Sequence, residues 1–270
     1  MEEKICGVNA IDLFSAYMNI IGTPSLEPES DGDPRFIGKT LGLVNGSPWI
    51  SLWGKYFGKK IIPGVKIVQV GNDAVQYNFI KAHSQGKEVP PELNKHLFAE
   101  YATQMAELIG VDAIMITCST MNRSYPVVQK AMDKFNTPVV QIDMPMMEQA
   151  VNHGGKVLVV ATHGPTIENT RLLLQETSER LGKPISFTGV NILEAYENLR
   201  IGKIREHNEL IAYAIREAQK NEKIDIVVLA QLSMAVFKLS YPDCEREFGI
   251  PVLTSAECGF NKVKEIFLEK

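Results

Sequence analysis

The chain has 270 residues, 45% of them hydrophobic and 22% charged, with a formal net charge of −4 at pH 7. Both signs of charge are spread along it, so no basic stripe marks a nucleic-acid face and no run of like charge marks a solvated tail. No apolar run approaches the roughly 20 residues that a membrane helix needs, and the opening MEEKICGVNAIDLF has no basic stretch ahead of an apolar one, so neither a membrane span nor a secretory signal is expected.

The first 35 residues hold one short helical pattern, Ala10 to Ile21, followed by SLEPESDGDP, a loop rich in Pro, Gly and acids. Covering a cleft, mediating a dimer and capping a sheet edge are all open roles for this extension. Beyond it, apolar runs rich in Val and Ile alternate with amphipathic stretches. The expected strands are Leu41 to Val44, Lys66 to Val70, Ala113 to Thr117, Val139 to Ile142, Val157 to Ala161, Ile185 to Gly189, Ile226 to Ala230 and Pro251 to Thr254. Several are continuous apolar runs, as strands covered on both faces are. The longest helical patterns run from Leu93 to Ile109, Thr166 to Leu181 and Glu206 to Lys220. Strand and helix in alternation imply parallel sheets with right-handed crossovers.

The chain also repeats itself. GKTLGLVNGSP matches GKVLVVATHGP at an offset of 117, pairing Asn45 with Thr162 and Pro48 with Pro165. DAIMITCSTM matches DIVVLAQLSM at an offset of 113, and the same offset pairs TPVVQID with IPVLTSA. The expected organisation is an N-terminal extension (1–35), a first α/β lobe (36–145) and a second (146–257), with the C-terminal helix (258–270) packing back on the first. Each lobe is a four-stranded parallel sheet flanked by helices, pseudo-symmetric with the other, with the active site in the cleft between them.

In open α/β sheets, ligands collect beyond the carboxyl ends of the strands. Four exits matter: Asn45-Gly46-Ser47-Pro48, Cys118-Ser119-Thr120-Met121-Asn122, Thr162-His163-Gly164-Pro165-Thr166 and Gln231-Leu232-Ser233-Met234. Their small polar residues suit an anion such as a carboxylate. The repeat sets Cys118 against Gln231 across the pseudo-two-fold. GKT at 38–40 is not a phosphate loop, because position 33 is Asp rather than Gly and a strand follows instead of preceding it; no GxSxG elbow occurs.

The duplicated exits, with TCSTMN and ATHGPT at their spacing, resemble the aspartate/glutamate/hydantoin racemase superfamily over roughly residues 36–260. That resemblance implies two Rossmann-like lobes and a cofactor-independent isomerase acting on a small, aspartate- or glutamate-like carboxylate. In the two-thiol racemases one cysteine removes the α-proton and another delivers a proton to the opposite face. Cys118 matches the first; Gln231 stands where the second would be, and an amide is neither acid nor base near neutral pH. A lyase or a maleate-type cis–trans isomerase using the single thiol is the first alternative, and a small-carboxylate binding protein without catalysis is the second.

Cys118 is therefore the expected base or nucleophile, and His163, which titrates near neutrality, the other proton carrier. Asn45, Ser47, Ser119, Thr120, Thr162, Thr166, Gln231 and Ser233 are expected to bind the carboxylate. Trp49 and Trp53 wall the cleft or pack a helix, and Asp73 is expected to cap one. Cys6, Cys244 and Cys258 form no CxxC pair and read as free thiols of a cytoplasmic protein, with neither zinc nor disulfides. His83, His96, His153 and His207 read as surface or helix residues. No cofactor, metal, nucleic acid or membrane is expected, and a symmetric homodimer is the commonest assembly for such a chain.

Overall fold

The computed structural model describes residues 4–5, 7–26 and 32–269; Cys6 and the centre of the acid-rich loop, 27–31, lie outside the described residues. A short antiparallel hairpin, β1 (Lys4–Ile5) and β2 (Val8–Asn9), leads into α1 (Ala10–Ile21). Asn9 caps that helix, its Oδ1 accepting from the Ile11 N–H at 2.8 Å.

The first repeat follows as β3 (Thr40–Asn45), α2 (Ser51–Ile61), β4 (Lys66–Gly71), α3 (Asp73–Ser84), α4 (Glu92–Ile109), β5 (Ala113–Ile116), α5 (Tyr125–Met132) and β6 (Val139–Gln141). The second comprises α6 (Met144–His153), β7 (Lys156–Ala161), α7 (Gly164–Leu181), β8 (Ser186–Asn191), α8 (Leu193–Arg200), α9 (Ile204–Asn221), β9 (Ile226–Leu229), α10 (Phe237–Ser240), α11 (Cys244–Phe248), β10 (Val252–Thr254) and α12 (Ser255–Glu269). All eight expected strands form, each within two residues of its expected limits. The short helices α3 and α8 were not among the expected patterns, and both prove important below.

Two four-stranded parallel sheets result, ordered β4-β3-β5-β6 and β8-β7-β9-β10. In each, the second strand lies outside the first and the chain then crosses back, so the repeat is one of topology as well as sequence. The flanking aspartates of the repeat do the same work twice. Asp112 Oδ2 accepts from the Thr40 N–H and Asp225 Oδ2 from the Lys156 N–H, both at 2.8 Å, tying the start of each first strand to the strand that pairs with it.

The central strands are apolar and buried throughout, as in β5 (Ala113, Ile114, Met115, Ile116) and β9 (Ile226, Val227, Val228, Leu229). Burial of such side chains is the main stabilising contribution, about 25 cal/mol per Å² of apolar surface. The helix that follows the last strand of each sheet packs on the opposite sheet. Met146, Met147, Ala150 and Val151 of α6 pack with Val157 and Val159 of β7. Reciprocally, Phe260, Val263 and Phe267 of α12 join the core of Leu41, Leu43 and Ile67. Gly58 in α2 makes that approach possible, because a Cβ there would meet Ile67 Cδ1 at 2.4 Å and Phe260 Cε1 at 3.0 Å. The same core takes in Leu232, Ala235 and Val236 from beyond β9, so the two sheets share apolar packing.

Candidate active site

In each sheet the strand order reverses between the first and third strands, which opens a crevice at their carboxyl ends. The exits of β3 and β5 flank one crevice and those of β7 and β9 the other. Between them lies a cavity of about 100 Å³. Cys118 and His163 both line it, one from each sheet, together with Ser47, Ser119, Thr120, Thr166, Gln231 and Ser233. Asn45 and Thr162 do not: both are fully buried behind it.

Cys118 precedes a 3₁₀ turn, Ser119–Ser124, with extended backbone (φ −109°, ψ 109°). Its Sγ lies 3.1 Å from the Thr120 hydroxyl. Burial pushes the thiol's pKa up and outweighs the Thr120 hydroxyl and the backbone N–H groups of Met121 and Thr120, which favour the thiolate; the nearby Asp143 carboxylate also raises it. The resting group is thus a thiol. Gly46 is required here, because a Cβ at that position would stand 2.7 Å from the sulfur.

His163 sits just before α7, its ring edge-on to Tyr196 with centroids 5.6 Å apart. Burial lowers its pKa, and His83 lowers it further. The imidazole therefore rests neutral. The two titratable walls are poised oppositely, a protonated thiol facing an unprotonated base.

The expected carboxylate binders separate into two groups. Five are already engaged, Thr120 with the Cys118 sulfur. Asn45 Oδ1 accepts from the Thr117 hydroxyl and its Nδ2 donates to Ser51; Ser47 donates to Asp73; Ser119 donates to Asp143 at 3.1 Å. The Thr162 N–H and hydroxyl both donate to Gln231 Oε1, at 2.8 and 2.9 Å. That pair of donors fixes the Gln231 amide, since only its oxygen can accept, and so commits the –NH₂ to the other side. The Gln231 amide nitrogen and the hydroxyls of Thr166 and Ser233 have no hydrogen-bond partner among the described residues. All three belong to the second repeat and line the cavity.

Several neighbours were not anticipated. Asp143, at the exit of β6, is buried behind Ser119, and burial raises its pKa to about 7. A lone acid closing an apolar run before Met-Pro was a signal available in the sequence. Val75, Phe79 and Ile80 of α3 and Tyr196 of α8 form an apolar wall with Trp49 and Met121. Trp49 lines the cleft and meets Trp53 edge to face at 5.3 Å, while Trp53 also packs on the core, so the pair fills both roles considered for it. Asp73 is not the cap of α3: Asn72 is, accepting from the Ala74 N–H at 2.9 Å, and Asp73 holds Ser47 instead. His207 lies on α9 as expected, yet it is fully buried, with Nδ1 2.9 Å from the Ala195 carbonyl. Among the described residues no three His, Cys, Asp or Glu side chains gather as a metal cluster, and no helix is long and apolar enough to cross a membrane.

A family model described as Asp/Glu/Hydantoin racemase matches residues 73–263. No curated protein matches the chain by sequence. Among solved structures, an aspartate racemase homologue from Pyrococcus horikoshii superposes with a TM-score of 0.63 at 19% identity, covering 85% of this chain and 99% of that one. Allantoin racemase from Klebsiella pneumoniae gives 0.58 at 17% identity, over 85% of this chain and 87% of its own. A glutamate racemase from Bacillus anthracis gives 0.58 at 16%, over 86% and 82%. At these identities the structural matches establish the two-lobed fold.

Proposed function

The chain belongs to the Asp/Glu/Hydantoin racemase family and is accordingly an isomerase of the racemase type; on that premise we propose that it inverts the α-carbon of a small carboxylate, with Cys118 and His163 as its two proton carriers. The observation that carries this reading is that the thiol from the first sheet and the imidazole from the second line one cavity in complementary protonation states. In one direction the neutral His163 imidazole takes the α-proton, the C–H electron pair moves into the carboxylate as an enediolate, and the Cys118 thiol delivers its proton to the opposite face. Thiolate and imidazolium remain, and exchange with solvent restores both. The Gln231 amide and the Thr166 and Ser233 hydroxyls, otherwise unpartnered, hold the carboxylate and the charge that grows on it. Gln231 thereby orients and stabilises without carrying a proton.

In deuterated water with single enantiomers of aspartate, mandelate and phenyllactate, the wild-type protein is expected to place solvent deuterium on the α-carbon of at least one acid as its optical rotation decays. Retention of the α-proton in all three, followed by ¹H NMR, overturns the reading.

We infer in addition that the chain pairs with a second copy through α1. No residue of this helix is buried, and Ile11, Leu13, Phe14, Tyr17, Met18 and the following Leu26 are 39–79% exposed. Their open surface is on the order of 700 Å², close to the ~800 Å² that one partner of a standard interface buries. The helix carries Asp12 and no Lys or Arg, which disfavours an anionic lipid surface. Light scattering is expected to give about twice the 30.0 kDa chain mass, falling to one chain on Phe14→Glu. A monomeric wild type, or one that co-sediments with phosphatidylglycerol vesicles instead, overturns this.

A further inference from the structure

The walls of the cavity constrain what it can hold. No Asp, Glu, Lys or Arg is among the described residues that line it. Arg123, beyond the exit of β5, is taken: its Nη1 donates to both carboxylate oxygens of Glu176 at 2.7 Å, bridging the two repeats outside the cavity. A second negative charge on a ligand would thus enter a largely apolar cleft without a counter-ion, as would an ammonium, and burying an unpaired charge is strongly unfavourable.

The space points the same way. The cavity, about 100 Å³, is the smaller of two adjoining spaces and holds the polar groups that meet a carboxylate. Beyond it lies a second chamber of about 620 Å³ that shares Ser47, Trp49, Gln76, Ile80 and Tyr196 with the first. Trp53, Tyr77 and Leu199 complete its apolar walls. Its two charged residues lie on the outer chamber and not on the cavity: Asp73, which accepts from the Ser47 hydroxyl, and Arg200, ion-paired with Glu197 at 2.7 Å. Apolar side chains nevertheless face open space at this mouth: Trp49 is 42% exposed, Ile80 46% and Tyr77 78%. Aromatic and branched surface left uncovered around a cleft marks a place where a ligand covers it.

Resting on the isomerase reading of the site, we propose that the substrate is a monoanion: one carboxylate on a carbon bearing an aromatic or branched apolar substituent, with neither a second carboxylate nor a free ammonium. The carboxylate sits on Gln231, Thr166 and Ser233, and the substituent runs past Ile80, Tyr196 and Trp49 into the outer chamber. This departs from the aspartate- or glutamate-like substrate that the sequence resemblance implies. Such a substrate would need charged partners beside its α-carbon, which the lining of the cavity does not offer.

Phenyllactate and malate test this as a matched pair, since they share an α-hydroxy carboxylate head and differ in a benzyl against a carboxymethyl arm. By isothermal titration calorimetry on the wild-type protein, phenyllactate is expected to bind at least about tenfold more tightly than malate or aspartate. Ile80→Lys, a change at a half-exposed mouth position that thermal melting can certify as folded, supplies the missing cation and is expected to reverse the preference. Malate or aspartate binding as tightly as phenyllactate in the wild type, no measurable binding of phenyllactate, or an unchanged preference in a folded Ile80→Lys variant each overturns the proposal. The two readings fail separately. Phenyllactate that binds while aspartate, mandelate and phenyllactate all keep their α-proton removes the isomerase and leaves the monoanion preference, whereas exchange confined to malate or aspartate does the opposite.

Discussion

Cys118 and Gln231 occupy equivalent places in the two repeats, and what surrounds them differs by one residue of register. Both follow the third strand of their sheet and precede a 3₁₀ turn, with extended backbone in each case. Each repeat also ties the exit of its first strand to that of its third. In the second repeat the tie is made by the equivalent residue itself, Thr162 donating twice to Gln231 Oε1. In the first it is made one residue earlier, the Thr117 hydroxyl donating to Asn45. The first arrangement leaves the side chain at 118 free of cross-strand duty, its sulfur meeting groups of its own loop, the Thr120 hydroxyl and the Thr120 and Met121 N–H groups. The second turns residue 231 into a fixed donor. One backbone frame therefore yields a reactive side chain on one wall and a rigid one on the other, and a shift in where the strands are tied separates the roles.

The largest expected effect comes from challenging that division directly. Cys118→Ala removes a proton carrier and should slow α-deuterium exchange by about 10²–10⁴-fold while leaving ligand affinity nearly unchanged. Gln231→Ala should instead raise KM about tenfold with a smaller loss in kcat, because it takes away a donor that holds the carboxylate. It also strips the Thr162 N–H and hydroxyl of their acceptor, so a loss of about 1–3 kcal/mol in stability is expected in urea unfolding. If both variants lose the same factor in kcat at unchanged KM, the two walls are equivalent and the comparison fails.

How far this contrast is visible in the sequence depends on the kind of signal. The strands are legible because burial on both faces forces unbroken apolar runs such as AIMI and IVVL, and the repeat is legible because Asp112 and Asp225 perform the same tie. The opposition of Cys118 to Gln231 follows from the repeat alone. The apolar walls were harder to see. The helices α3 and α8 expose Tyr77, Ile80 and Leu193 toward open space, which blurs the stripe by which an amphipathic helix is recognised. Which hydroxyls are engaged is a question of contacts across 24 to 72 residues of sequence, as for Ser119 with Asp143 and Thr117 with Asn45. Residue type does not separate a serine with a partner from one without.

Asp143 sharpens the comparison at a smaller cost, since the repeat matches it with Ala256 and the second repeat thus has no acid at the equivalent position. Burial raises the Asp143 carboxyl from 3.8 to about 7, with the Ser119 hydroxyl working in the opposite direction. A folded pKa above the unfolded one means that the folded chain keeps its proton while the unfolded chain releases it. The stabilisation is complete below pH 3.8 and is lost progressively as pH rises to about 7. Asp143→Asn keeps the shape, abolishes that loss, and should be more stable than wild type by on the order of 3 kcal/mol at pH 8 relative to the difference at pH 4. The same substitution removes a negative charge that raises the Cys118 pKa, so the midpoint of Cys118 alkylation by iodoacetamide should move to lower pH. Urea unfolding at the two pH values checks the first effect and alkylation rates across pH check the second. A stability difference independent of pH, with an unmoved alkylation midpoint, would mean that Asp143 shapes the first wall only by packing, and the electrostatic asymmetry between the walls would reduce to the thiol and the imidazole.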